Sequence, residues 1–202
     1  MEQLDRVLFL AINATDPASY IAVAIAQFAA QWLVFLPIAI IAGLWTWGAP
    51  RGRGALLAAG LALVVGMTTN QLISARWFHP RPFMAGIGHT LMFHAPENSF
   101  PSDHATLFWT LGFGLIASGS WRAWGWCFVI MGLVVASARV YLGLHFPFDM
   151  AGSLVISLSA AGLAGSVRPV VGRRLLPRAE AFYELLLERL RLPPALFPRR
   201  SD

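Results

Sequence analysis

Long apolar stretches, separated by short polar segments, run through most of the 202-residue sequence. A helix needs about 20 predominantly apolar residues to cross the hydrocarbon core of a bilayer, and several stretches approach or exceed this length. They cover residues 20–47, 55–73, 102–118, 123–138 and 150–167. Gly and Ala recur in all of them, and such small residues allow helices to pack closely in lipid. The pattern predicts an all-α integral membrane protein, a bundle of about five transmembrane helices.

The first stretch and the two chain ends need separate treatment. Residues 20–47 are longer than one span requires, so we expect residues 20–30 to lie in the interface or to tilt. Residues 4–12 predict an N-terminal interfacial helix. A C-terminal amphipathic helix is expected to start at Pro177 and to stop before Pro193, with an apolar face made by Phe182, Leu185, Leu186 and Leu190.

We expect this C-terminal helix to lie on anionic lipid. Packing against the bundle, or against a second copy in a homodimer, is the open alternative. The chain therefore divides into an N-terminal interfacial segment (1–17), a transmembrane bundle (18–167) and a basic tail (168–202).

The composition excludes other classes of protein. Hydrophobic residues make up 57% of the chain and charged residues 12%, whereas a soluble domain carries about 25% charged residues. A water-soluble fold of this size could not bury so much apolar surface, and neither disorder nor nucleic-acid binding fits better. The single Cys127 forms no disulfide within the chain. Glu2 and Asp5 stand where a cleavable signal peptide would carry basic residues, so none is predicted.

The arginines assign the two sides of the membrane. All 15 basic residues are arginine. The predicted topology places a minority on one side (Arg6, Arg76, Arg81 and Arg139) and the remainder, including the tail residues Arg199 and Arg200, on the other. The positive-inside rule makes the arginine-rich side cytoplasmic. With an odd number of spans, the N-terminus then lies outside and the C-terminus inside.

Polar residues concentrate in three segments, 76–83, 98–104 and 139–149, which this topology places together at the outer surface. Arg81 and Arg139 can each offer two parallel N–H groups to a phosphate. Ser102 opens a helix, so its hydroxyl and the following backbone N–H groups would face an anion at the positive end of the helix dipole. His104, in the first turn of that helix, is placed to protonate a departing oxygen.

The spacing of His145 and Asp149 indicates a nucleophile. A carboxylate four residues on can hold one ring nitrogen and leave the other free to attack phosphorus. The predicted reaction is a double displacement: His145 attacks in line, His104 protonates the leaving group, and water hydrolyses the resulting phosphohistidine. The arginines and the helix terminus carry the charge that a metal would otherwise stabilise, so we expect no metal and no other cofactor.

Three motifs resemble the signatures of the type-2 phosphatidic acid phosphatase superfamily, over about residues 55–167. They are Arg81-Pro82, then Pro101-Ser102-x-His104, then Arg139 followed at the family's spacing by His145 and Asp149. Within this region, His-Pro-Arg-Pro-Phe at 79–83 and Asn-Ser-Phe-Pro-Ser-Asp-His-Ala at 98–105 are similar to the bacterial undecaprenyl-pyrophosphate phosphatase branch. The resemblance implies a nucleophile, its partner and an acid (His145, Asp149 and His104) and three phosphate ligands (Arg81, Ser102 and Arg139).

The chain departs from the family pattern at two positions. Ser74 stands where the first motif has a Lys, and Ala138 precedes Arg139 where the family usually has Ser. The missing Lys removes one phosphate contact. Arg76 is the nearest cation that could replace it, which makes Arg76 a further candidate ligand; binding of a lipid phosphate at the membrane surface is its alternative role.

The remaining polar residues have less definite assignments. Four residues of the outer loop are of metal-ligand type: His79, His89, His94 and Glu97. Their spacing does not match a metal site, so we expect them to line a headgroup pocket or to face solvent. Asp103 has no assigned role. Purely structural roles are alternatives to the catalytic ones: Arg81 could bind backbone carbonyls, and Asp149 could serve as a helix cap and nothing more.

We therefore predict a multi-pass phosphatase of the bacterial inner membrane with its active site facing the periplasm. The resemblance implies hydrolysis of undecaprenyl pyrophosphate to undecaprenyl phosphate and inorganic phosphate, which recycles the lipid carrier of cell-wall biogenesis; the residues alone indicate phosphate chemistry. Two rival activities keep the same fold: a phosphatase of glycerophospholipid headgroups and a lipid phosphotransferase. The intact residues His104, His145 and Asp149 argue against a non-catalytic lipid transporter.

Overall fold

The computed structural model describes residues 2–15 and 17–198, and within these ranges the chain forms only helices and connecting loops. The helices are α1 (Glu2–Ile12), α2 (Tyr20–Trp32), α3 (Phe35–Trp47), α4 (Arg53–Arg76), α5 (Asp103–Ser118), α6 (Arg122–Tyr141), α7 (Pro147–Val170) and α8 (Leu176–Arg189). A 3-10 turn, Pro50–Gly52, leads into α4. Arg199 and Arg200, which were counted on the cytoplasmic side, lie outside the described residues.

The helices confirm an all-helical membrane protein and give three or four candidate spans. Among the described residues, three helical segments are long and apolar enough to cross a membrane: Pro50–Arg76, Arg122–Tyr141 and Pro147–Arg189. The bent pair formed by α2 and α3 makes a fourth candidate. Helix α5 has 16 residues, or about 24 Å of helix, which is shorter than the hydrocarbon core is thick.

A bend accommodates the excess length of the first apolar stretch. Helices α2 and α3 meet at an angle of 49°, whereas the sequence suggested one long segment that tilts or lies partly in the interface. Pro37, in the first turn of α3, has no N–H and its ring would clash with the carbonyl of Leu33 in a continuous helix. The helix therefore ends before Val34 and restarts at Phe35.

Helix α5 packs at the centre of the bundle against α4, α6 and α7. Phe108 and Leu115 on α5 are fully buried. Glycines bring α5 and α6 into backbone contact, because a Cβ placed on Gly112 would lie 2.9 Å from the carbonyl oxygen of Gly125. Hydroxyl groups add polar contacts between the helices, and the Thr110 Oγ1 donates to Ser157 Oγ on α7 at 2.9 Å. This packing holds the N-terminus of α5 between the ends of its neighbours.

Helix α1 packs onto the start of α7. Phe9 is fully buried and meets Phe146 edge to face at 5.3 Å. Asp5 accepts a hydrogen bond from the backbone N–H of Phe148 at 2.9 Å. The side chain of Asn13 donates to the carbonyls of His89 and Tyr141 at 2.9 and 3.0 Å. The N-terminal segment, expected only to lie in the interface, therefore also secures the loops at one end of the bundle.

The C-terminal helix is continuous with the last span. The sequence predicted a new helix starting at Pro177, but a π-helical turn, Val171–Leu175, joins α7 directly to α8. Pro177 falls at the second residue of α8, directly after this turn. Glu180 on α8 forms a buried ion pair with Arg53 at 3.5 Å, so one side of α8 packs on the bundle. The four apolar residues of the predicted face are exposed: Phe182, Leu185, Leu186 and Leu190.

Candidate active site

A polar cavity of about 430 Å³ opens at the end of the bundle where α4 ends, α5 begins, α6 ends and α7 begins. Residues from all three polar segments line it: Gln71, Ser74, Arg81, His94, Glu97, Asn98, Pro101, Asp103, His104, Arg139 and His145. Consecutive antiparallel helices bring these helix ends to the same side. The structure thus gathers four of the predicted site residues around one space: Arg81, His104, Arg139 and His145.

The geometry around His145 defines its tautomer. Its imidazole is buried, with Nδ1 3.2 Å from Asp149 Oδ2 and Nε2 3.0 Å from Arg81 Nη1. A guanidinium can only donate, so Nε2 must be the acceptor and Nδ1 carries the proton that Asp149 accepts. Burial lowers the pKa of His145 far below its ordinary value, and the hydrogen bond to Asp149 offsets this only in part. The ring is therefore neutral at pH 7, and the lone pair of Nε2 accepts the N–H of Arg81, which also lines the cavity.

Asp149 lies behind His145 and does not line the cavity. It occupies the first turn of α7, where its Oδ2 accepts from the backbone N–H of Phe146 at 2.8 Å and completes a capping arrangement. The hydroxyl of Ser99 donates to the same oxygen. Asp149 is fully buried, so three donors on one oxygen fix the carboxylate against His145. Ser99 was missed by the sequence analysis, although it stands inside the second motif.

Arg81 is clamped by two backbone carbonyls. Its Nη1 donates to Leu144 O at 2.9 Å and its Nη2 to Asn98 O at 3.1 Å. The side chain of Asn98 holds the same loop, because it accepts from the N–H of His79 at 2.7 Å and donates to Trp77 O at 2.9 Å. The structural role considered for Arg81 is therefore present, and the clamp also brings the guanidinium against His145, so it is compatible with phosphate binding.

Arg139 is also anchored before any substrate arrives. Its Nη1 donates to the carbonyl of Ala30 at 3.3 Å, near the bend that follows α2, and its Nη2 to His94 Nε2 at 3.2 Å. Burial and the two nearby guanidinium groups, Arg81 and Arg139, lower the pKa of His94. His94 is therefore neutral, and its Nε2 accepts from Arg139 at a position that a phosphate oxygen could occupy.

Ser102 does not present its hydroxyl to the cavity. It is fully buried and caps α5, with its Oγ accepting from the N–H of Ala105 at 3.5 Å. Its own N–H donates to Ser153 Oγ on α7 at 2.9 Å. Ser102 therefore acts on the site by holding the N-terminus of α5, whose first residues Asp103 and His104 line the cavity.

Asp103, which the sequence left without a role, joins α4 to α5. It accepts from Asn70 Nδ2 at 2.8 Å and from Gln71 Nε2 at 3.3 Å. Asn70 is fully buried and also donates to the hydroxyl of Thr106 at 3.0 Å. These contacts give a role to the polar residues Asn70 and Gln71 near the end of α4, and they position the first turn of α5.

Among the described residues, no cation replaces the family Lys in the cavity. Ser74, at that position, lines the cavity and donates to the carbonyl of Phe100 at 3.3 Å. Arg76 is exposed at the end of α4 and is not among the residues that line the cavity. In the described part of the chain, the cationic side chains at the cavity are therefore Arg81 and Arg139.

The histidines of the outer loop are dispersed. His79 Nδ1 lies 3.4 Å from Asp149 Oδ1, on the side of that carboxylate away from His145. His94 contacts Arg139, and the side chain of His89 is exposed. Within residues 2–15 and 17–198, no group of three or more His, Cys, Asp or Glu side chains could hold a metal ion.

Known proteins resemble this chain in sequence and in fold. Residues 55–171 match the PAP2 superfamily. The chain is 31% identical, over 92% of its length and 93% of the relative, to YbjG of Escherichia coli (strain K12), which is named as a candidate undecaprenyl-diphosphatase. It is 33% identical to the undecaprenyl-diphosphatase BcrC of Bacillus subtilis (strain 168), over 75% of this chain and 77% of the relative. The crystal structure of Aquifex aeolicus LpxE superposes with a TM-score of 0.60 over 78% of this chain and 92% of that chain, at 18% identity, which shows a shared fold.

Proposed function

The chain belongs to the PAP2 superfamily, and from this premise we propose that it is a membrane lipid-pyrophosphate phosphatase that hydrolyses undecaprenyl pyrophosphate to undecaprenyl phosphate and inorganic phosphate. Two relatives at 31% and 33% identity bear names with that activity. One structural observation carries the proposal: a neutral, buried His145, held by Asp149, lines one cavity together with Arg81 and Arg139, and its Nε2 accepts from Arg81.

The first chemical step transfers the terminal phosphoryl group to His145. Oxygens of that group take the N–H donors of Arg81 and Arg139, which releases the Arg81 hydrogen bond from His145 Nε2 and frees its lone pair. Nε2 then attacks phosphorus in line while the bond from phosphorus to the bridging oxygen breaks. His104, in the first turn of α5, takes up a proton when the negatively charged pyrophosphate binds beside it, and it passes that proton to the departing oxygen. The prenyl monophosphate leaves, and the ring of His145 carries a positive charge that Asp149 stabilises.

The second step returns the enzyme to its starting state. His104, now unprotonated, accepts a proton from water, and the oxygen attacks the phosphohistidine. The bond from phosphorus to Nε2 breaks, its electron pair returns to the ring, and inorganic phosphate is released. Two buried guanidinium groups and the N-terminus of α5 stabilise the charge on the phosphoryl oxygens in both steps.

We infer the orientation in the membrane from the distribution of arginine. We place the cavity at the periplasmic face of the bacterial inner membrane, because the opposite end of the bundle carries most of the arginines. This arrangement has five spans, with α2 and α3 counted as one and with the short α5 shielded by α4, α6 and α7. The exposed apolar side of α8 lies on the cytoplasmic lipid surface; a second copy of the chain is the alternative partner for that side.

A substrate panel tests the proposed function. The purified full chain in detergent is given prenyl pyrophosphates of several lengths, phosphatidic acid and phosphatidylglycerol phosphate, and release of inorganic phosphate is measured. The proposal expects the highest kcat/KM for a long-chain prenyl pyrophosphate. Preference for a glycerophospholipid phosphate would contradict it, and transfer of labelled phosphate to a second lipid without release of inorganic phosphate would identify a phosphotransferase.

A further inference from the structure

Asp149 lies between two imidazoles, one on each carboxylate oxygen. His145 Nδ1 is 3.2 Å from Oδ2, and His79 Nδ1 is 3.4 Å from Oδ1. His79 does not line the catalytic cavity; it lines a separate, mostly apolar hollow of about 530 Å³ on the far side of Asp149. The reaction proposed above uses His145 and leaves His79 without a role.

We propose that His79 is a positioning residue that acts on the nucleophile through Asp149, and that its protonation lowers the catalytic rate. This role rests on the function proposed for His145.

The two oxygens of Asp149 differ in how they are satisfied. Oδ2 faces three donors, from Ser99, Phe146 and His145. Oδ1 has no hydrogen-bond partner among the described residues, and His79 Nδ1 likewise has none, yet the two buried atoms face each other. Buried polar atoms in native proteins are nearly always paired. A small approach that turns this 3.4 Å contact into a hydrogen bond satisfies both atoms.

The ring of His79 is held in this place by its surroundings. Its backbone N–H donates to Asn98 Oδ1 at 2.7 Å, and its carbonyl accepts from the N–H of Ser99 at 2.8 Å. The ring lies between the aromatic rings of Trp77 and Phe146, with centroids at 5.6 Å in both cases. Backbone and side-chain contacts therefore both direct Nδ1 toward the carboxylate.

The charges around His79 favour its protonated form. The contact with Asp149 on α7 raises the pKa of His79 above its ordinary value; burial opposes this, and Asp5 and Glu2 on α1 add to it. Arg6 on α1 lines a smaller hollow beside the same ring and is the cationic group there. These charges favour the protonated form of His79, the side-chain type that ordinarily titrates closest to neutral pH.

The two charge states of His79 have different effects on the reaction. Neutral His79, with its proton on Nδ1, donates to Asp149 and leaves the carboxylate its full charge. That charge stabilises the cationic ring formed when Nε2 of His145 takes the phosphoryl group. Protonated His79 offsets the charge, so kcat falls as the pH drops through the pKa of His79. KM should not change, because His79 does not line the catalytic cavity.

Two substitutions at this position separate the hydrogen bond from the charge. His79→Asn keeps a neutral donor near the position of Nδ1, whereas His79→Phe keeps a ring between Trp77 and Phe146 and removes the donor. His89→Asn is the matched control, because the side chain of His89 is exposed. The full chain in detergent is assayed with undecaprenyl pyrophosphate from about pH 5.5 to 9.

We expect His79→Asn to keep kcat within about threefold of the parent at high pH and to shift the acid limb of kcat down by about half a pH unit or more. We expect His79→Phe to lower kcat about tenfold with KM unchanged. A His79→Asn profile that superimposes on that of the parent, or an effect on KM alone, would overturn the proposal. The Asn variant and the titration below decide the question if the Phe variant does not fold.

A titration without turnover separates this proposal from the proposed function. Nitrogen-15 NMR of labelled histidine follows the protonation of His79 in the full chain and in the Asp149→Asn variant. We expect the pKa of His79 to fall in the variant because the carboxylate charge is removed. An unchanged titration refutes the contact. A parent chain that releases no phosphate from any substrate refutes the proposed function, while the NMR result still decides whether His79 and Asp149 are coupled.

Discussion

Replacing Asp149 with asparagine should preserve the fold and nearly abolish turnover. The side-chain carbonyl oxygen of the substituted asparagine can accept the donors that now point at Oδ2, from Ser99 and from the N–H groups of Phe146 and His145. Its amide group then faces His79, which can present its other tautomer. The substitution therefore removes the charge and leaves the hydrogen-bond geometry in place.

The magnitude follows from the distance between the two groups. His145 Nδ1 and Asp149 Oδ2 are 3.2 Å apart, and opposite unit charges at that distance attract by about 5 kcal/mol at an effective dielectric constant of about 20. This interaction exists only after phosphoryl transfer has made the ring cationic. Its loss corresponds to a fall in kcat of roughly three to four powers of ten.

The assay measures inorganic phosphate released from undecaprenyl pyrophosphate by purified Asp149→Asn and parent proteins. Thermal unfolding in the same detergent checks that the variant is folded, and His89→Asn serves as the matched control at an exposed site. A folded Asp149→Asn variant with kcat within about tenfold of the parent would refute the role assigned to the carboxylate.

Four further outcomes follow from the site. Arg81→Ala should lower kcat/KM by about a hundredfold or more, and Arg81→Lys should recover part of it, because lysine restores the charge but not the paired N–H donors of the guanidinium. The exposed Arg51→Ala is the control. An equal loss of kcat/KM in Arg81→Ala and Arg51→Ala would contradict the role of Arg81. Ser99→Ala removes a hydrogen bond to the ionised carboxylate, so kcat should fall about tenfold with unchanged KM; a change confined to KM would count against it. EDTA should leave phosphate release intact, because the arginines carry the charge of the phosphoryl group, and a loss restored by adding a divalent metal would overturn that scheme. Burial holds the pKa of His145 below its value in the unfolded chain, so at low pH the unfolded state binds a proton that the folded state does not. The Tm should therefore fall as the pH is lowered from about 7 to 5, and it should fall less steeply in His145→Gln. Equal dependence of the Tm on pH in the parent and in His145→Gln would contradict a buried, neutral His145.

The parts of the site that follow helical geometry could be predicted from the sequence. Residues four apart lie on one face of a helix turn, and His145 and Asp149 meet at 3.2 Å across the start of α7. The three polar segments stand at consecutive helix ends, so the order of apolar stretches was sufficient to bring Arg81, His104 and Arg139 to one cavity. The family assignment rested on the same residues and is confirmed.

The parts that depend on the path of a loop could not be predicted. The segment between α4 and α5 has no periodicity, so nothing in the sequence placed His79 beside Asp149 or Asn98 across from Arg81. Ser102 was expected to contact phosphate, but a hydroxyl at an N-cap has the helix N–H groups as competing partners. Arg76 was a candidate because of its distance along the chain, and it is exposed outside the cavity.

The most direct test of the catalytic claim is to trap the phosphoenzyme. Undecaprenyl pyrophosphate labelled in its terminal phosphate is mixed with the enzyme, the reaction is quenched in alkali, in which phosphohistidine survives, and the modified residue is identified by mass spectrometry. The label should appear on His145 and should be absent in His145→Ala. Turnover by a folded His145→Ala protein, or label on any other side chain, would contradict the account.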